Sequence, residues 1–264
     1  MAGCDTIASD LLNKCTLRVR NVVSGEFINF RITEVEVYFH SAVHPDPFVH
    51  CHCAQQQTGA WYWHCASAAI NSYRGGTFKG LDLTVGDGQS YGGILFRGIV
   101  NIGTGKREHG PSKTVDAILA AAGVNSIAEF VAVGAISSQV GPLLLISNPT
   151  TNLIIPQSVL PLKNVTNPTS LTAPAAIYRS PRYGLSFKKA TAETISTYIS
   201  YIAAPYRYLI WPSSDTKLKK AIELTMAYLI NPPSDIIDTS QDQTWLGIKP
   251  NETQIQTLVR RGFA

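Results

Sequence analysis

The sequence predicts an α+β fold with a mostly antiparallel sheet. Three observations carry this expectation. Runs rich in β-branched and aromatic residues recur at strand length, several of them introduced by glycine. Few helical stretches interleave with them, and strand–helix–strand alternation is absent. No self-similarity of solenoid length is present. With 264 residues, 45% of them hydrophobic, the chain can bury a core without help from disulfides or metals.

In chain order, residues 8–15 (ASDLLNKC) make an amphipathic helical start, and EFINFRITEVEVYFH (26–40) has strand length and period. GAWYWHC (59–65) and GGILFRGIV (92–100) read as strands behind glycines. Residues 115–131 are predicted helical, with Gly123 as a stop between two short pieces. LLLISN and TNLIIPQ read as a strand pair across an Asn-Pro turn, followed by a Pro-rich loop over 160–176. AAPYRYLIWP makes one more strand. Beyond it, a helix over 215–230, a Pro-Pro break and a last helix capped by Asn251 form an extension. Residues 215–264 hold 6 basic and 6 acidic residues, so the net charge of +4 lies in the larger piece. The expected division is a domain over 1–213 and a helical extension over 214–264 of no assigned role.

Composition bounds the function classes. Only 15% of residues are charged, below the usual quarter or so. The small positive excess permits a polyanionic partner without demanding one. No apolar run approaches the roughly 18 residues of a spanning helix. Asp5 and Asp10 stand where a signal peptide would carry basic and then apolar residues, and the five cysteines show no framework spacing. A soluble intracellular protein is expected, without a membrane partner.

Period two puts Ile28, Phe30, Ile32, Glu34, Glu36, Tyr38 and His40 on one strand face, so two carboxylates, a phenol and an imidazole extend an apolar stripe. Carboxylates in such a place are either paired or open into a cavity, where a raised proton affinity suits a general base. The plain alternative is a surface strand with an acidic polar face. Five of the six histidines and three of the five cysteines lie between residues 40 and 65. Their spacing (His50-Cys51-His52-Cys53) lacks the gap that lets a pair reach one zinc ion, so a locally hydrogen-bonded loop is expected and no metal. Gly110–Lys113 (GPSK) precedes a helix and could offer backbone N–H groups and Lys113 to a phosphate, although it is not a Walker loop. YRGGTFKG (73–80) could present Tyr73, Arg74 or Lys79 to a nucleic-acid groove, or be an ordinary turn.

Taken in order, these segments resemble the methylpurine (3-methyladenine) DNA glycosylase family. The matching pieces are ASDLLNKCTLRVR, RITEVEVY (31–38), Asp46 with His50 four residues on, GAWYWH, GGILFRG, GPSK, PRYGL (181–185) and PYRY (205–208). They span about residues 7–211. The resemblance implies a single α+β domain on a curved antiparallel sheet, which flips a damaged, alkylated or deaminated purine out of duplex DNA and hydrolyses its N-glycosidic bond. It implies Glu36 as the general base, Tyr38 and His50 as the residues that sandwich the flipped base, and His64 as a further pocket wall. Arg97 is placed near the pocket and the DNA backbone. It also implies a monomeric, monofunctional enzyme of base-excision repair, without cofactor, nuclear if eukaryotic and otherwise cytoplasmic. This sequence departs from the family where a tyrosine is replaced by His64 and an asparagine by Asp82, for which Lys79 is the expected partner. The hairpin after His64 is longer, leaving Tyr73 and Arg74 as candidate wedges. Two other functions share these features: a non-enzymatic binder of DNA or of a modified base, and a hydrolase of another N-glycoside.

Overall fold

The computed structural model describes residues 2–136, 142–147, 175–185 and 188–210. The expectations for TNLIIPQ, most of the Pro-rich loop and the whole extension fall outside these residues. Helix α1 (Ala2–Lys14) leads into β1 (Cys15–Arg20), then β2 (Phe27–Ser41), the short β3 (His44–Pro45), β4 (Thr58–Trp63), β5 (Leu81–Val85), β6 (Tyr91–Asn101) and β7 (Arg107–His109). Helices α2 (Pro111–Ala122) and α3 (Ile127–Ile136) follow, then β8 (Leu143–Ser147), β9 (Ile177–Ser180), α4 (Ile195–Ala203) and β10 (Arg207–Ile210).

Among the described residues all strand pairings are antiparallel, in the order β4-β5-β6-β2-β1-β8. The mixed α+β class with an antiparallel sheet is therefore observed. Strand β2 is central. One edge pairs along most of its length with β6, while the other changes partner midway, from β1 (Phe27–Arg31) to β10 (Glu34–Glu36). Strand β8 pairs with β1.

The core lies between the sheet and the helices. Leu11 and Leu12 of α1, Leu17, Ile32, Val35, Leu81, Leu83, Phe96 and Ile118 are almost wholly removed from water. Each such side chain contributes about 1.5–3 kcal/mol by burial. Helix α2 starts at Pro111, whose missing N–H costs nothing at a first position. It stops at Gly123, left-handed with φ 75°, whose N–H reaches back to Leu119 and Ala120. The expected break between two helical pieces is thus in place. Helix α4 falls in a stretch with no expected helix, because ISTYISYIA is rich in β-branched and aromatic residues. Burial of Tyr198, Tyr201 and Ile202, at positions i, i+3 and i+4, decides its form. Among the described residues no single helix is long and apolar enough to cross a membrane.

Candidate active site

The expected continuous stripe on β2 does not form. The pairing of β2 with β6 shifts between Ile32 and Glu34 and again between Glu34 and Val35. Below the irregularity the core residues are Phe30 and Ile32; above it they are Val35 and Val37. The same phase change runs through β6, from Ile94 and Phe96 to Ile99. Glu34, Glu36 and Tyr38 do share a face, but it is the face opposite the valines. A bulge re-aims side chains in this way. Gly98 makes room for it: a Cβ there would lie 2.8 Å from Thr33 Oγ1 and 2.9 Å from Glu34 Cβ.

The bulge gathers a buried charge cluster. Arg97 Nε donates to Glu34 Oε1 at 2.9 Å, and its Nη1 stands 3.3 Å from Glu36 Oε2. Arg207 Nε donates to the same Glu34 oxygen at 2.8 Å. The Tyr183 amide donates to Glu36 Oε1 at 2.6 Å. Burial pushes the Glu34 carboxyl up, yet Arg207 and Arg97 outweigh it and hold the carboxyl below its ordinary range. Burial likewise works against the charged form of Arg97, and Glu36 and Glu34 overcome it to push its pKa up. Arg97 is 8% exposed and covered by the Tyr183 ring, 5.1 Å from its guanidinium. Its expected place at the DNA backbone is therefore corrected: it is buried and serves two carboxylates.

Beside this cluster runs a second network. Glu36 on β2, Leu95 on β6, Asp82 on β5 and Tyr62 on β4 are successive register partners, so they line up across four strands on one face. Tyr38, one step further along β2, lies flat over Gly93, where any Cβ would come within 3 Å of its hydroxyl. This lets the Tyr38 hydroxyl donate to Asp82 while accepting from Gln55 Nε2 at 2.7 Å. His64 Nε2 lies 2.9 and 3.0 Å from the two Asp82 oxygens. Asp82 is fully buried, and its partners are Tyr38 and His64. The expected partner Lys79 pairs with Asp116 of α2 instead. Burial first, and then the Asp82 carboxylate, raise the Tyr38 phenol well above its ordinary value, so it stays a donor.

His50 stands edge-on to His64, with ring centroids 5.5 Å apart. Crowding around its ring, then His64 and Arg74, push its pKa down to about 4. The segment bearing it is clamped from below. Asp46 and Arg182, both buried, pair at 2.8 Å, while His44 meets Tyr201 edge-on and Phe48 meets Tyr198. His52 caps the Ala54 amide and stacks on Tyr62. Among the described residues no three His, Cys, Asp or Glu side chains come together as a metal would require.

The structure thus brings Glu36, Tyr38, His64 and His50 into one region. Of the remaining candidates, Arg97 adjoins Glu36 and the Arg74 amide donates to the His64 carbonyl. Tyr73 is half-buried, bridged to Cys65 and bonded through its hydroxyl to Asn71. Arg74 is tied to the Cys65 carbonyl at 2.9 Å. Neither projects as a wedge. The side chains that do project from the 64–80 excursion are Ile70 and Phe78, 72% and 71% exposed. Sequence reasoning missed them because it sought cations and tyrosine there. The one available signal was a lone isoleucine in a polar turn. Ser112 Oγ ties this excursion to α2 through the Gly76 carbonyl, at 2.8 Å, and Lys113 is exposed on the same first turn.

No family model matches the chain. It is similar to an uncharacterized protein of Acanthamoeba polyphaga mimivirus, 29% identical over 230 residues, a match that covers 82% of this chain and 90% of that protein.

Proposed function

We propose that the protein is a monofunctional DNA N-glycosylase of base-excision repair, which flips a damaged purine from duplex DNA and hydrolyses its glycosidic bond. One observation carries the reading. A glutamate fixed from two sides, by Arg97 at 3.3 Å and the Tyr183 amide at 2.6 Å, shares a sheet face with the aromatic ring of Tyr38. Such an arrangement supplies what the reaction needs. The carboxylate takes a proton from the attacking water and faces the positive charge that grows on the sugar. The Tyr38 ring, backed by the bare Gly93, offers a surface for an electron-poor base, and His50 and His64 form the far wall. Arg97 acts as a positioning group for Glu36, with Glu34 and Arg207 holding it in turn. The exposed Ile70 and Phe78, together with Lys113, are the groups of this reading that meet the duplex.

The test incubates the protein with duplexes holding hypoxanthine, 1,N6-ethenoadenine or 7-methylguanine and scores alkali-labile abasic sites. Glu36→Gln should abolish base release and keep duplex affinity. Unchanged turnover in that variant removes Glu36 from the mechanism. Duplex binding without base release by the wild type turns the reading into that of a binder.

A further inference from the structure

We infer that His64, oriented by Asp82, is the proton donor to the departing base; this rests on the glycosylase reading. Asp82 is a carboxylate wholly buried from solvent, held by the Tyr38 hydroxyl and by His64 Nε2. A buried carboxylate without such partners is costly. Its bond commits Nε2 to carry a hydrogen, so Nδ1 is the ring nitrogen left to meet a substrate. The ring face lies on the bare Gly80, where a Cβ would come 2.5 Å from Nδ1, 2.6 Å from Cε1 and 2.8 Å from Cγ, so glycine there lets the ring take this orientation. The other groups around the ring are Tyr62 and His50, with Arg74 bonded to the His64 carbonyl and Lys189 near His50. The His50 pKa is pushed down to about 4, so His50 is mainly neutral over the range of the test and Asp82 is the carboxylate that His64 faces.

Position supports the role. Asp82 is two strands from Glu36 in direct register, a separation of about 10 Å. That is the scale of a nucleoside, so Glu36 at one end of the row and the Asp82–His64 pair at the other can act on the same substrate. In the reaction the C1′–N9 bond breaks and its electron pair goes to the purine. The proton on His64 Nδ1 passes to a ring nitrogen of that purine. The water oxygen bonds to C1′ and gives its proton to Glu36, and solvent returns Glu36 and His64 to their starting states. A purine already alkylated at N3 or N7 is cationic and departs without this proton. A neutral purine needs it.

The test compares single-turnover release of hypoxanthine and of 7-methylguanine from duplexes by the wild type, His64→Gln and Asp82→Asn, between pH 5.5 and 8.5. General-acid contributions run to about 100-fold or more. We therefore expect the hypoxanthine-to-7-methylguanine rate ratio to fall at least about tenfold in both variants. In the wild type the hypoxanthine rate should decline as pH rises, and His64→Gln should lose that limb. Nitrogen-15 NMR of the wild type should show neutral His64 in the Nε2–H tautomer, a readout that no variant needs to fold for. An unchanged ratio, or the Nδ1–H tautomer, overturns the assignment while leaving the glycosylase reading standing. Release of 7-methylguanine alone by the wild type also overturns it. Release of neither base counts against the glycosylase reading itself.

Discussion

Gly93→Ala adds one methyl group under the Tyr38 ring, and its cost follows from the geometry. The new carbon would lie within 3 Å of the Tyr38 hydroxyl and Cζ and 3.1 Å from Cε1, whereas ordinary contact starts at 3.4 Å. The ring must lift, and with it goes the hydroxyl that donates to Asp82 and accepts from Gln55. Overpacking of this kind costs about 1–3 kcal/mol. Loss of a hydrogen bond to a charged acceptor costs roughly another 1.5–3 kcal/mol. The sum, about 2.5–6 kcal/mol, is a large part of a typical folding free energy of about 5–15 kcal/mol. At about 2–4 °C per kcal/mol, the melting temperature should drop by roughly 5–24 °C in thermal unfolding followed by circular dichroism. The control is the same substitution in a Tyr38→Ala background. There the methyl meets open space, and alanine in a strand interior is better than glycine by about 0.5–1 kcal/mol. The effect should therefore vanish or change sign. An unchanged melting temperature in the wild-type background, or equal losses in both, would refute the contact of Tyr38 with Gly93.

Asp46→Asn leaves Arg182 buried beside a neutral amide and should cost about 3–5 kcal/mol in urea unfolding, with Asp46→Leu/Arg182→Met recovering part of the loss; no loss in the single variant would show the pair to be dispensable. The His50 imidazole stays neutral in the folded protein down to about pH 4, while the unfolded chain takes up its proton near 6.5. The unfolded state then binds more protons between these values, so stability should rise with pH across that window. His44, lowered chiefly by burial, acts in the same direction, so His50→Gln should flatten the slope of the urea midpoint without removing it; an unaltered slope would mean that His50 is protonated in the folded state.

Much of the frame is written locally. Strands β2, β4 and β6 are legible because β-branched and aromatic residues at strand length, set off by glycines, leave few alternatives. Helix α2 is legible because Pro111 and Gly123 mark its ends by their own backbone preferences. The alternation Glu34, Glu36, Tyr38 places these three on one face whatever the rest of the chain does. What the sequence by itself could not determine is which face that is. The phase of β2 inverts at Thr33 and Glu34 only because β6 inverts beside it and Gly98 leaves space there, a fact shared between residues some 65 positions apart. Arg97 shows the same limit: its chemistry suits phosphate as well as carboxylate, and only the fold, by burying it between Glu34 and Glu36, decides the partner. Asp82 is the clearest case. Lys79 is its near neighbour in sequence, yet Tyr38 and His64 hold it, because hydrogen bonds across a sheet depend on strand order and register. These belong to the tertiary structure, whereas alternation and capping belong to the chain.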